Sequence, residues 1–311
     1  MGILSVIVPC YNEQESIPHF YAAMEKVQEK IDYQFEYIFV NDGSKDETLS
    51  VLQELMEKDK QKVKFLSFSR NFGKEAGIYA GLKEAKGELV TIMDVDLQDP
   101  PELLPEMIEG IKEGYDCIGT RRANRAGEPP IRSVFAKLFY RLINQISSTQ
   151  MVDGARDYRL MTRQMVDAIL ELSEHNRFSK GLFSWVGFQT KYLSFENVER
   201  QHGQTSWNFF SLLRYSIEGI INFSEAPLRL ATFFGLLVSL GSGVALVFII
   251  VRTLVFGDVT QGWPSLVSIV LFMGGIQLIS IGVIGEYIGK IFLETKNRPI
   301  FIVKEKSKNL K

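Results

Sequence analysis

The sequence predicts an α/β domain with a mostly parallel sheet, joined to a C-terminal hairpin of two transmembrane helices. Three observations carry this reading. Short apolar, β-branched runs alternate with helix-length segments through the first 225 residues. Two stretches, 230–251 and 263–285, then contain no charged residue. The residues beyond them carry an excess of lysine and arginine.

Strands are expected at 4–9, 36–41, 63–67, 88–94 and 116–119, with helices at about 13–30, 46–59, 74–85 and 101–113. Such alternation predicts a parallel sheet covered on both faces, with ligands outside the carboxyl ends of its strands. The polar clusters fall there. Tyr11-Asn12-Glu13 follows the first strand, Asn41-Asp42-Gly43-Ser44 the second and Asp94-Val95-Asp96 the fourth. No internal repeat or low-complexity segment interrupts the pattern.

In 131–147 apolar residues recur at intervals of three and four, with Arg132, Lys137 and Arg141 on or beside the polar face. Residues 207–223 form a second apolar-rich helix. Either could pack on the sheet; basic flanks beside a bilayer anchor favour the membrane interface for the first and leave the second open between sheet and interface. Each uncharged stretch spans about 33 Å as a helix, enough to cross a hydrocarbon core of about 30 Å. The competing expectation is a pair of core helices in a large soluble protein. The chain thus divides into a domain at 1–225, the helical pair within 226–289 and a basic tail at 290–311. In that tail Lys290, Lys296, Arg298, Lys304, Lys306, Lys308 and Lys311 oppose Glu294 and Glu305, seven against two. The positive-inside rule places the tail, and with it residues 1–225, in the cytoplasm of a multi-pass inner-membrane protein. The N-terminus has no basic segment or cleavage site typical of a signal peptide, and Val6 breaks a myristoylation pattern.

A net charge of −2 argues against a general nucleic-acid binder. Two cysteines, Cys10 and Cys117, exclude a disulfide scaffold and a multi-cysteine metal site, and suit a reducing compartment. The sharpest constellation is Asp94-Val95-Asp96-Leu97-Gln98. In an extended segment alternate residues point the same way, so Asp94, Asp96 and Gln98 would offer oxygens to one hard cation, Mg²⁺ or Mn²⁺. Carboxylates closing an apolar strand are costly unless a cation joins them. Asp99, before Pro100-Pro101-Glu102, reads as a helix N-cap. Asp42 reads either as turn chemistry or as a ribose or base-edge ligand. Gly-x-Gly-x-x-Gly and the Walker loop are both absent, so neither a dinucleotide nor a P-loop site is supported.

Val8-Pro9-Cys10-Tyr11-Asn12-Glu13, Asn41-Asp42-Gly43-Ser44, Ser69-Arg70-Asn71-Phe72-Gly73-Lys74 and Asp94 through Glu102 resemble the inverting GT-A glycosyltransferases. More narrowly, they resemble the polyprenyl-phosphate glycosyltransferases, among them dolichol-phosphate mannose synthase and the bacterial bactoprenol glucosyltransferases. Asp157-Tyr158-Arg159-Leu160, Lys180-Gly181-Leu182, Gly203-Gln204-Thr205-Ser206-Trp207 and the two-helix C-terminus resemble the bacterial branch. The resemblance implies a GT-A, Rossmann-like catalytic domain that transfers a hexose from a UDP-sugar to polyprenyl phosphate. Glucose is the first expectation, ahead of galactose, N-acetylhexosamine and mannose. Pro9, Tyr11, Asn12, Glu13, Asp42 and Asp94 would hold the nucleotide sugar, and Asp94, Asp96 and Gln98 the metal and diphosphate. Asp96 and Asp157 would be catalytic. Arg121, Arg122, Arg132 and Lys137 would receive the lipid phosphate. Arg200 would substitute for a lysine of the relatives where this chain has Ser206.

Asp157 itself stays open between a base, a positioning group and a salt bridge to Arg156 or Arg159. The product implies a downstream flippase or second glycosyltransferase, and a homo-oligomer is compatible with the sequence. Two rival functions remain, a processive polysaccharide synthase and an inactive membrane scaffold. The first is opposed by the missing Gln-x-x-Arg-Trp motif, the second by the carboxylates at 94, 96 and 157.

Overall fold

Strand β1 (Gly2–Cys10) buries its central residues on both sides, and the reason lies in how its side chains alternate. Leu4, Val6 and Val8 enter one core with Ile17, Phe20, Met24, Leu52 and Met107. Ile7, between them, enters a second core with Ile38, Val40, Ala76, Ala80 and Met165. The strand is therefore the middle of a three-layer sandwich, and its near-continuous apolar run follows from that. The computed structural model describes residues 2–123, 141, 143–147, 152–195, 220–221, 224–256 and 262–310.

The expected alternation holds for the first half. After β1 come α1 (Ser16–Gln28), β2 (Tyr33–Asn41), α2 (Thr48–Lys58), β3 (Val63–Phe68), α3 (Lys74–Glu84), β4 (Leu89–Ile92), α4 (Leu104–Lys112) and β5 (Cys117–Arg122). Helix α3 lies close on β1 because residue 81 is glycine: a Cβ there would stand 2.2 Å from Ile7 Cγ2. At the amino ends of the strands the buried Glu36 carboxylate pairs with Lys64 and accepts the Ser5 hydroxyl at 2.5 Å. These charges are satisfied internally and serve the sheet.

The second half departs from a parallel sheet. Strand β6 (Ala155–Thr162), followed by α5 (Arg163–Glu171), α6 (Ser179–Trp185) and β7 (Thr190–Phe195), inserts between β4 and β5 and runs antiparallel to both. The sheet order is β7-β5-β6-β4-β1-β2-β3-β8, parallel at four of its seven pairings. Strand β6 escapes a pattern search because it buries an arginine. Arg159 is 2% exposed, with its guanidinium 3.7 Å from the centre of the Phe183 ring. Its Nη2 donates to the Arg156 carbonyl at 2.9 Å.

Helices α7 (Ala226–Phe256) and α8 (Trp263–Thr295) contain the two uncharged stretches and pack on each other. Both are long and apolar enough to cross a membrane, and none of their apolar windows is buried inside the chain. Core helices of a soluble protein do not look like this. The expected interface helices at 131–147 and 207–223 lie largely outside the described residues; 143–146 and 220–221 are helical.

Beyond α8 the basic tail folds back. Strand β8 (Val303–Lys306) pairs antiparallel with β3. The Phe301 ring stacks on Phe68 at 4.9 Å, and the Ser307 N–H donates to the Phe65 carbonyl at 3.0 Å. Asn309 Nδ2 donates to the Lys60 and Val63 carbonyls. The other end of the helical pair is tied as well: the Ser224 hydroxyl donates to the Ile146 carbonyl, and the Tyr287 hydroxyl to the Ser224 carbonyl. The chain after α8 therefore joins the sheet, and the chain before α7 is bonded to the helical piece at 143–146.

Ser67 and Glu305 are directly opposed on β3 and β8. Antiparallel partners lie about 4.5–5.5 Å apart between Cα atoms, within disulfide range. The double variant Ser67→Cys/Glu305→Cys should cross-link under mild oxidation, seen as a mobility shift reversed by reductant. Absence of the cross-link would remove the tail from the sheet.

Candidate active site

The site is built at the carboxyl ends of β1 to β4, where β6 begins. Its first wall is two loops laced together. The Asn12 N–H donates to Ser44 Oγ and its Oδ1 accepts the Lys45 N–H, both at 2.9 Å. Asn12 holds a left-handed backbone (φ 54), a conformation asparagine tolerates. Glu13 accepts the Ser16 hydroxyl at 2.7 Å, and its N–H donates to Thr48 Oγ1. Asp42 is 4% exposed and accepts the N–H groups of Phe72 and Gly73 at 2.6 and 2.9 Å. Burial pushes the Asp42 carboxyl up, against the pull of those two N–H groups and Arg70. Asn12, Glu13 and Asp42 thus shape the wall, whereas Tyr11 is 43% exposed on it and Pro9 is half-buried.

The acidic motif is not an extended segment. Strand β4 ends at Ile92, residues 95–96 turn, and Leu97 holds φ 54. A bulky residue there is strained, so the surrounding structure must impose it. The turn, rather than strand alternation, buries Val95 to 3% and leaves its neighbouring carboxylates partly exposed. Asp96 Oδ1 accepts the Gln98 N–H at 3.2 Å, and Gln98 Oε1 accepts Arg156 Nη2 at 3.3 Å. Asp99 is not a helix cap. Its carboxylate is 1% exposed and accepts Arg156 Nε at 2.8 Å, because β6 brings a guanidinium to it. Burial still pushes the Asp99 carboxyl up, and its Oδ2 has no hydrogen-bond partner among the described residues.

Asp94 and Asp157 meet across the floor through a residue to which the sequence motifs assign no role. Lys74 Nζ lies 2.6 Å from Asp94 Oδ1 and 2.5 Å from Asp157 Oδ2. The expected partners of Asp157 are otherwise engaged: Arg156 with Asp99, and Arg159 with backbone carbonyls under the Phe183 ring. Burial alone would raise the Asp157 carboxyl, but Lys74, Lys180 and Arg159 hold it well below the usual carboxylate range. Burial alone would lower the Lys74 ammonium, but Asp157 and Asp94 drive it well above its ordinary value. Lys180, in α6, is pushed down by burial, with Asp157 opposing. Glu75, beside Lys74, accepts the N–H and hydroxyl of Ser179. One signal could have marked Lys74: it opens α3, where the helix dipole disfavours a cation.

Arg121 and Arg122 end β5 at the same edge, Arg121 in register with Ala155 at the start of β6. Arg121 Nε donates to Ser194 Oγ at 2.9 Å. Arg132, Lys137, Arg200 and Ser206 lie outside the described residues. Among the described residues no group of three or more His, Cys, Asp or Glu side chains could hold a metal ion. Asp94 and Asp96 are partly exposed hard oxygens, a partial donor set to which a divalent cation would have to add phosphates and water. The ammonium already drawn to Asp94 marks the demand for positive charge at this point.

Residues 5–170 match glycosyl transferase family 2, and the chain belongs to that family of glycosyltransferases. It is 44% identical over 302 residues to the SfII prophage-derived bactoprenol glucosyl transferase of Shigella flexneri, covering 97% of each chain. To the prophage bactoprenol glucosyl transferase homolog of Escherichia coli K12 it is 42% identical over 305 residues, covering 98% of this chain and 99% of the relative. Among solved structures it is similar to glucosyl-3-phosphoglycerate synthase from Mycobacterium tuberculosis in complex with Mn²⁺, UDP-glucose and phosphoglyceric acid. That similarity has a TM-score of 0.45 at 18% identity, over 71% of this chain and 78% of the other.

A carboxyl held below its ordinary value of about 3.9 stabilises the fold at neutral pH and loses that contribution as pH falls below about 4. Asp157→Asn should therefore lower stability by about 1–2 kcal/mol at pH 7, the modest figure reflecting a Lys74 side chain that is 42% exposed and screened. It should also remove this acid-dependent component. Urea unfolding of the detergent-solubilised protein at pH 7 and pH 3 reads both effects, and an unchanged midpoint at pH 7 would contradict the ion pair.

Proposed function

We propose that this glycosyltransferase moves glucose from UDP-glucose to a membrane polyprenyl phosphate, undecaprenyl phosphate, releasing UDP. The observation that carries the reading is the convergence of Asp94 and Asp157 on one cationic point at the strand ends. Relatives named bactoprenol glucosyl transferases, matched over nearly their whole length, support glucose and a polyprenyl acceptor. The sequence resemblance supports UDP as the carrier.

An oxygen of the lipid phosphate would attack the anomeric carbon as the bond to the UDP oxygen breaks, so an α-linked donor gives a β-linked lipid-phosphate sugar. A phosphate monoester has a second pKa near 6 and is largely ionised at pH 7, so no strong base is required. This agrees with an Asp157 carboxyl held too low to be an effective base. Asp157 instead positions charge at the reacting centre. Mg²⁺ or Mn²⁺, held by Asp94 and Asp96 beside Gln98, would offset negative charge growing on the departing UDP. Tyr11, exposed beside Pro9, offers a face for the uracil ring. Arg121 and Arg122, with Arg132, Lys137 and Arg200, supply guanidinium and ammonium groups for the lipid phosphate.

The acceptor's headgroup must reach this pocket from a bilayer. We place α7 and α8 across the cytoplasmic membrane with residues 1–225 and the basic tail on the cytoplasmic side. The end of α8 supports this arrangement: Glu294 accepts the N–H groups of His175 and Asn176, in the segment that leads into α6 and Lys180.

Purified protein with Mg²⁺ and undecaprenyl phosphate should transfer radiolabel from UDP-glucose to lipid, leaving a single sugar per lipid. Asp96→Ala should reduce turnover by about 10²–10³-fold while the protein still inserts in membranes. Transfer from another nucleotide sugar in preference would replace glucose in the assignment. A lengthening glycan would favour a processive synthase, and absence of any transfer would favour a scaffold.

A further inference from the structure

Lys74 stands where a lysine is least expected. It is the first residue of α3, directly after Gly73 (φ 97), where unpaired helix N–H groups already present positive potential. Two carboxylates from separate strand ends are spent on holding it there. An ammonium has three N–H donors, and Asp94 and Asp157 take two. The Lys74 side chain is nevertheless 42% exposed, against 26% for Asp94 and 19% for Asp157. Of the three side chains the lysine is the least covered, and its two carboxylate partners leave one N–H of the ammonium over.

We propose that Lys74 is a phosphate-binding residue of the transfer site, its ammonium oriented by Asp94 and Asp157 so that the third N–H is given to a phosphate oxygen of the substrate. This rests on the function proposed above and adds a residue to it. The ligand chemistry is an anionic phosphate oxygen, supplied either by the donor's diphosphate or by the acceptor's phosphate monoester. Both carry negative charge to the same carbon and repel each other. A fixed ammonium between them lowers that repulsion without any proton being moved. Asp157 then acts on the substrate through Lys74, and Asp94 adds to this through Oδ1, with its other oxygen left for the metal.

The test uses the full-length protein in detergent, comparing wild type with Lys74→Met and Lys74→Arg. Binding of UDP and of uridine is measured by calorimetry with Mg²⁺ and without acceptor; turnover is measured against undecaprenyl phosphate concentration. Wild type must bind UDP, and failure there would overturn the proposed function rather than this inference. If the donor diphosphate is the ligand, Lys74→Met weakens UDP binding at least about tenfold and leaves uridine binding unchanged. If the acceptor phosphate is the ligand, UDP binding stays and the KM for undecaprenyl phosphate rises at least about tenfold. Lys74→Arg, which keeps the charge, should recover part of either loss. Unchanged UDP affinity together with an unchanged acceptor KM overturns the proposal. Should Lys74→Met fail to fold, Lys74→Gln, which retains N–H groups for the two carboxylates, decides by the same two readouts.

Discussion

Carboxylates from two different strands cannot share a partly buried pocket without positive charge between them, and much of this structure answers that constraint. Asp94 follows β4 and Asp157 opens β6, which run in opposite directions as neighbours in the sheet. The antiparallel insertion of β6 is what brings the start of one strand beside the end of the other. Lys74 then joins them from a third element, α3, whose close seat on β1 depends on Gly81. Arg156 neutralises Asp99 one layer deeper, and Arg159 closes the floor under Phe183. Removal of the antiparallel strand would leave an acidic loop with nothing to face.

The same economy governs the link to the apolar hairpin. A sheet domain attached only by a flexible tether would take random orientations relative to the apolar helices. Here Ser224, before α7, is bonded to Ile146, and β8, after α8, completes the sheet's far edge. Strand pairing through β8 also covers the edge that β3 would otherwise expose to other chains. Glu294 at the end of α8 holds His175 and Asn176, the segment that leads into α6 and Lys180.

The first five strands and four helices were legible because each buries an uninterrupted or regularly spaced apolar set, as β1 does with Leu4, Val6 and Val8 on one side and Ile7 on the other. Asp94 and Asp96 stood out as charges placed where an apolar strand ends, whereas Asp157 was marked only by the resemblance. What escaped were elements whose stability comes from partners distant in sequence. Strand β6 carries Arg156, Asp157 and Arg159, which look solvated until Asp99, Lys74 and Phe183 are known to surround them. Strand β8 reads as a basic tail, since Lys304 and Lys306 are exposed and only its backbone pairing and the flanking Phe301 and Ser307 make it part of the sheet. Asp99 read as a cap because proline follows it, a local signal outweighed by a buried guanidinium.

Local composition alone determined the α/β alternation, the two apolar spans and the places where polar loops must gather, since each depends on periodicity and length within one segment. Which charges face one another was decided only by tertiary structure. Ion pairs between residues such as Lys74, Asp94 and Asp157 leave no spacing pattern in the chain; their geometry exists only once antiparallel pairing and helix packing have set three separate backbones side by side.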